Sequence, residues 1–335
     1  MSIRVTVRKK PRGGRSGSAL LTVLWLSAAL AAIAFSLATT VRGETERTAA
    51  AKDGLSAQYL ATAAIERALL YIEWAPMATD AEGKSKYFTW GMPYLDLPFP
   101  TGVAHVEVIP EGSKINLNSA PPEELYGLLT ALGAGADQAR EVALAIVDWR
   151  TPLPPGAGPT EFDSLYLSQN PSFLGRHASF EEIEELLLVR GMTPELFHGG
   201  YEHDANGKLR PRPGVRDCVT VYGARAVDAN TAQPQVLAAV GLPPEYITAI
   251  VETRRLAPIR TTEQLKAIVG DAPGSARIGI GGGSIFTLRA TARLRRSNGA
   301  LSEDRRSAAA VVKLMPQTSE QWYHVLRWYD NVWVQ

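Results

Sequence analysis

The sequence predicts an α+β fold in which a long N-terminal helix packs on a small antiparallel sheet and an all-helical region is inserted. Three features support this prediction: a long uncharged run near the N-terminus, alternating strand patterns on both sides of the middle of the chain, and a helical pattern that occurs twice between them. Strands that flank a block of helices are typical of an α+β body interrupted by a helical domain.

Composition limits the classes of function. The 335 residues are enough for about two domains. With 35 Lys and Arg against 34 Asp and Glu, the chain has no general attraction to nucleic acid or acidic membranes. The single cysteine, Cys218, excludes an intramolecular disulfide framework and a cysteine-rich zinc site.

The N-terminus has the pattern of a membrane anchor. Residues 1–17 carry six basic residues and no acid, and the 24 residues from Ser18 to Val41 carry no charge. As a helix this run would measure about 36 Å, more than the roughly 30 Å of a hydrocarbon core. It is also longer than the apolar part of a cleaved secretory signal. The basic flank predicts a cytoplasmic N-terminus and a C-terminal part on the far side.

The helix is predicted to continue beyond the membrane. Residues 44–74 are rich in Ala, Leu and Glu, contain no Pro, and place apolar residues at intervals of three and four. One helix from Ser18 to Trp74 is the main interpretation. A membrane helix followed by a separate helix, with a break near Gly43, is the alternative.

An internal repeat occupies the middle of the chain. The segment INLNSAPPEELYGLL, which begins at Ile115, matches VDANTAQPQVLAAVG, which begins at Val227. The Ser or Thr before Ala and Pro predicts helix N-caps at Asn118/Ser119 and Asn230/Thr231. Each copy continues to a second helix that ends in AIVDWR or AIVETR, and a third amphipathic segment follows. The repeat is therefore predicted to be a module of about three helices.

These modules resemble helix-hairpin-helix or sterile-alpha-motif-like modules, some of which offer backbone N–H groups to phosphate. The second hairpin contains Pro243 and Pro244, which lack those donors, and the first has Asp137 nearby. Acidic residues match the basic residues around both modules, so we expect packing modules and no nucleic-acid partner. A membrane-anchored DNA-binding protein remains the alternative function.

Strand patterns flank the helical region. Alternation of apolar and polar residues predicts strands at 102–109, 285–295 and 305–314, with a turn at 297–299. Residues 218–222 are predicted to form a short strand, and residues 322–328 an edge strand.

The leader resembles the class III signal of type IV pilins and type II secretion pseudopilins. In RSGSALLTVLWLSAAL the apolar helix begins directly after Gly17. The resemblance implies that a prepilin peptidase cuts between Gly17 and Ser18 and that Ser18 becomes the methylated N-terminus. Most pilin-like subunits have Glu as the fifth mature residue, whereas this chain has Thr22. Thr22 cannot form the charge pair with a neighbouring subunit, so the chain would be a poor repeating unit.

The whole order of elements resembles the minor pseudopilin protein K family (GspK) of type II secretion systems. The residues that carry this resemblance are Thr22, the paired modules with N-[ST]-A starts, Asp148-Trp149 and Arg190-Gly191-Met192. The resemblance implies a non-enzymatic subunit that initiates and caps the pseudopilus for export of folded proteins across the outer membrane. Expected partners are minor pseudopilins I and J, with H and the major pseudopilin as further candidates. A tip minor pilin of a type IV pilus is a second alternative.

The resemblance also implies a domain layout and a location. We expect a single-pass inner-membrane protein with a periplasmic C-terminal domain. The expected parts are a leader at 1–17, a transmembrane half at 18–41, a pilin-like α/β domain at 42–114 and 275–335, and an inserted helical domain at 115–274 with modules at about 115–200 and 227–274.

Calcium is the cofactor that the resemblance suggests, since some family members bind it in an acidic loop after the Asp-Trp pair. Calcium takes six to eight oxygen ligands, usually several of them carboxylates. The loop here offers only Asp148, Glu161 and Asp163, and Thr and Pro residues stand between them. A solvated loop is the favoured interpretation and a calcium site is the alternative. No familiar catalytic motif accompanies these residues.

Overall fold

The computed structural model describes residues 16–75, 77–79, 85–203, 207–223, 226–281, 283–315 and 321–332. The chain divides into two compact units, Met1–Ser56 and Ala57–Gln335, and each is described by itself. In the first unit the described residues are helical throughout. Most of the predicted leader, residues 1–15, lies outside the described residues.

The described residues contain a set of α-helices and three short 3-10 helices. The α-helices are α1 Ser16–Trp74, α2 Pro122–Ala131, α3 Ala136–Arg150, α4 Glu161–Leu167, α5 Pro194–His198, α6 Val215–Cys218, α7 Pro234–Ala239, α8 Pro244–Leu256 and α9 Thr262–Val269. The 3-10 helices are Glu111–Ser113, Ile183–Leu188 and Ser275–Arg277.

The strands form one larger sheet and several two-stranded ladders. They are β1 Tyr94–Phe99, β2 Gly102–Pro110, β3 Ile115–Asn116, β4 Gly200–His203, β5 Leu209–Arg212, β6 Val219–Thr220, β7 Val227–Asp228, β8 Ile278–Gly279, β9 Ile285–Leu294, β10 Arg306–Leu314 and β11 Tyr323–Tyr329.

The larger sheet is antiparallel with the order β1-β2-β9-β10-β11. Strands β2 and β9 are hydrogen-bonded neighbours, with Val106 opposite Ala290. Because β2 ends at Pro110 and β9 begins at Ile285, the helical region is inserted between two adjacent strands of this sheet.

The C-terminal part of α1 covers one face of this sheet. Alternate residues of β2, β9 and β10 point to this face and are almost completely buried, together with a small-residue stripe on α1. The stripe includes Ala61, Ala64 and Ala68, which allow close approach of the helix, and Ile65 and Leu69, which fill the space between helix and strands. The predicted α+β fold is confirmed.

Two predicted elements were wrong in detail. The chain at Cys218 forms the last turn of α6, and the strand β6 that follows has only two residues. The amphipathic segment after Ser179 forms the 3-10 helix Ile183–Leu188 instead of an α-helix. Strand β1 was not predicted, because the run contains Pro98 and proline weakens a strand pattern; β1 tolerates it at the edge of the sheet.

The sequence repeat corresponds to a structural repeat. The strand that begins each module pairs in parallel with a strand just beyond the predicted end of that module: β3 with β6, and β7 with β8. A helical hairpin follows the first strand in each module, α2–α3 and α7–α8. Each module is therefore closed by a short parallel ladder, and the two modules share one hydrophobic core.

Candidate functional site

The predicted processing site lies in the first turn of α1, since Gly17 and Ser18 are within its helical residues. Residues 18–41 are exposed, and this helix contains a segment apolar and long enough to cross a membrane. It fits a single membrane anchor, as the sequence predicted.

Thr22 satisfies its own hydrogen-bonding needs. Its hydroxyl donates to the carbonyl oxygens of Ser18 at 3.0 Å and Ala19 at 2.9 Å. An unpaired polar group in lipid costs several kcal/mol, and here the hydroxyl is paired within its own helix. A glutamate at the same position would need one.

The repeated asparagine of each module joins distant parts of the backbone. The Asn118 amide accepts from Phe180 N at 2.7 Å and donates to Phe180 O at 3.0 Å. In the second module the Asn230 amide accepts from Ile259 N at 2.8 Å and donates to Ile259 O at 2.9 Å. We call each set of two bonds an asparagine clamp.

The predicted N-caps were wrong. The N-cap residues of α2 and α7 are Pro121 and Gln233, and neither makes a side-chain cap bond. Pro122 and Pro234 occupy the first helical position, where the missing N–H has no cost. The asparagines precede the helices but bond backbone groups close to the third segment of each module.

An arginine completes the module in each copy. Arg150 ends α3 and Arg254 lies near the end of α8. Both guanidinium groups donate to carbonyl oxygens around the N-[ST]-A motif: the acceptors are Leu117 and Ala120 for Arg150, and Ala229 and Ala232 for Arg254. Burial lowers the pKa of both arginines. The shared ending of AIVDWR and AIVETR was the sequence signal for this contact.

The two modules pack on each other through their first helices. A Cβ placed on Gly127 of α2 would lie 3.3 Å from the backbone of Ala239 in α7, so the helices touch closely. Arg277 binds Glu124 in a bidentate ion pair with distances of 2.7 and 2.8 Å. The repeat therefore forms one double module.

The hairpins are poorly suited to phosphate. In the first, Gly133 has a φ of +91° and Asp137 lies in the first turn of α3. The carbonyl oxygen of Leu132, the residue before Gly133, accepts from the guanidinium of Arg212 at 3.1 Å. In the second hairpin Pro243 is the N-cap and the helix begins with proline, so backbone donors are missing. This geometry favours packing over nucleic-acid contact.

Of the predicted calcium ligands, Asp148 lies near the end of α3, and Glu161 and Asp163 lie in α4. Thr160 links Asp148 and Asp163. Its hydroxyl donates to Asp148 Oδ2 and accepts from Asp163 N, both at 3.1 Å. Glu161 is exposed at the start of α4. Among the described residues no group of three or more His, Cys, Asp and Glu side chains is placed to hold a metal ion.

His177 contacts this acidic pair, although no sequence pattern pointed to it. Its Nε2 lies 2.9 Å from Asp163 Oδ2. Burial acts to lower the pKa of His177, but the hydrogen bond and charge of Asp163 outweigh it and raise the pKa. Burial acts to raise the pKa of Asp163, yet hydrogen bonds from Gly175, Thr160 and His177 hold it below its ordinary value. Burial raises the pKa of Asp148.

Comparison with known proteins shows that part of this chain matches a known protein family. Residues 111–199, which cover most of the first module, match the family model of the type II secretion system (T2SS), protein K. Residues 111–199 belong to the type II secretion protein K family. The predicted family resemblance is confirmed, and the family is a structural component of the secretion machinery.

A solved structure has a fold similar to that of this chain. It is a chain in the crystal structure of the GspK-GspI-GspJ complex from the enterotoxigenic Escherichia coli type 2 secretion system, with a TM-score of 0.54 and 16% sequence identity. The match covers 84% of this chain and 98% of that chain. Among curated proteins no sequence matches this chain.

Proposed function

We propose that this chain is the minor pseudopilin at the tip of a type II secretion pseudopilus. With minor pseudopilins I and J it starts assembly and caps the filament that exports folded proteins across the outer membrane. The observation that carries this proposal is the protein K region at 111–199, inserted between two adjacent strands of a sheet that α1 covers. The role is assembly and involves no catalysis.

Thr22 supports the terminal position. Its hydroxyl is bonded within α1, so this position of the membrane segment carries no unpaired group that calls for a neighbour above it. A subunit that lacks the charge pair with a neighbouring subunit is suited to end a filament. The added double module, which contributes no strand to the larger sheet, would also obstruct a further subunit.

The apolar helix supports a single-pass anchor, and we propose that the membrane is the inner membrane. The prepilin peptidase would cut after Gly17 on the cytoplasmic side, Ser18 would be methylated, and the unit from Ala57 would lie in the periplasm. We expect Gly17→Ala, co-expressed with the peptidase, to remain a precursor about 17 residues longer than the mature chain. Gly14→Ala, a leader glycine away from the junction, is the matched control and should be cut. Cleavage of Gly17→Ala at the wild-type rate would contradict this processing.

The partners are tested with the full chain in detergent. Co-expression with pseudopilins I and J should yield a complex that contains all three, and H and the major pseudopilin should join only when I and J are present. The solved complex of the similar fold motivates this choice of partners. Failure to retain either I or J would overturn the partner assignment.

The tip position has its own test. Gold labels on the periplasmic part should mark the ends of assembled pseudopili. Labels spaced along the shaft would contradict the cap while leaving the family membership of residues 111–199 intact.

A further inference from the structure

The two modules differ most in the segment that follows the second helix. In the second module α8 ends at Leu256 and α9 begins at Thr262. In the first module the corresponding segment is residues 151–178, which we call the insertion loop and which contains α4. The ends of this loop meet, since Ala178 N donates to Trp149 O at 3.3 Å. Something must hold so long a segment in one conformation.

The residues present do not fit calcium. Both oxygens of Asp163 are already occupied: Oδ1 accepts from Gly175 N at 2.8 Å, and Oδ2 accepts from Thr160 N at 3.1 Å and contacts His177 Nε2. Calcium needs six to eight oxygen ligands, but here a ring nitrogen faces the carboxylate. The third predicted ligand, Glu161, is exposed.

His177 joins Asp163 to the start of the insertion loop. Its Nε2 bonds Asp163 at 2.9 Å, and its Nδ1 lies 3.2 Å from Thr151 O at the start of the loop. The side chains of His177 and Asp163 are 11% and 2% exposed. His177 also has a φ of +48°, a left-handed backbone that side-chain-bearing residues adopt when surrounding contacts impose it. We infer that the insertion loop is closed by the His177–Asp163 pair in place of a metal ion, so its order does not depend on calcium.

Closure of the loop completes the core of the first module. Tyr166 of α4 is fully buried, stacks on Phe173 at 5.0 Å and meets Trp149 edge-on at 5.8 Å. Its hydroxyl accepts from Arg190 N at 3.0 Å. The His177–Asp163 pair joins α4 to the end of the insertion loop, and it therefore also keeps these rings in place. This inference is independent of the proposed role in secretion.

The test uses the full chain in detergent, with CaCl2 or EGTA added, and measures chymotrypsin cleavage of the insertion loop near the exposed Leu174 by intact mass. The wild-type cleavage rate and melting temperature should be the same in calcium and in EGTA. His177→Gly removes the side chain at a backbone conformation that glycine tolerates, so it relieves strain and deletes only the contact. It should raise the cleavage rate about tenfold or more in both solutions.

His324→Ala, at an exposed histidine on β11, is the matched control and should leave the rate unchanged. Faster cleavage of the wild type in EGTA, a melting temperature that rises with calcium, or an unchanged rate in His177→Gly would each overturn the inference. If His177→Gly does not fold, the comparison of the wild type in calcium and EGTA still decides.

Discussion

Removal of one asparagine clamp should destabilise the double module strongly. Asn118→Ala deletes the acceptor of Phe180 N and the donor to Phe180 O, which lie 2.7 and 3.0 Å away. Phe180 is 2% exposed, so water would replace these bonds poorly. A buried donor or acceptor left without a partner costs about 1–3 kcal/mol, so two of them should lower the free energy of unfolding by about 2–6 kcal/mol.

The neighbouring residue provides a control. Ser119 is exposed, and Ser119→Ala should change the free energy of unfolding by less than about 0.5 kcal/mol. If Ser119 were the N-cap of α2, as its sequence position suggested, the same change would cost about 1 kcal/mol. Because the second clamp has the same two bonds, Asn230→Ala should cost about as much as Asn118→Ala.

Denaturant unfolding of the full chain in detergent, followed by tryptophan fluorescence, measures these differences. Trp149, one of the seven tryptophans of the chain, lies in the core of the first module and contributes to this signal. A loss below about 1 kcal/mol in Asn118→Ala, or an equal loss in Ser119→Ala, would refute the clamp.

Two further predictions concern other positions. Cys218 is fully buried, and burial raises the pKa of its thiol to about 12. The folded chain should therefore not react with a thiol reagent at about pH 8, and it should react fully after denaturation. Rapid labelling of the folded chain would contradict this prediction. Gly102→Ala would place a Cβ 2.2 Å from Arg293 O in the neighbouring strand and should cost about 3 kcal/mol or prevent folding. Gly135→Ala, where nothing lies within 4 Å, should cost less than about 1 kcal/mol, and equal losses in both variants would argue against the strand contact.

Local patterns were sufficient to predict the elements with strong periodicity. The long helix, strands β2, β9 and β10, and the repeat followed from apolar spacing, which depends on neighbouring residues alone. The repeat and the Asp-Trp and Arg-Gly-Met segments were also enough to indicate the protein K family that residues 111–199 match.

The roles of individual polar residues did not follow from local patterns. Asn118 and its partner are 62 residues apart in sequence, and His177 and Asp163 are 14 apart. A short strand such as β1, interrupted by Pro98, likewise became visible only as a pairing partner of β2.

The sequence by itself determined that a membrane-length helix, a sheet and two related helical modules exist, because burial of apolar residues imposes a period that any one segment displays. Only the tertiary structure decided which backbone groups each asparagine joins and that a histidine faces Asp163. Those hydrogen bonds form between segments that are distant in sequence, and they form only after the fold has brought their atoms within about 3 Å.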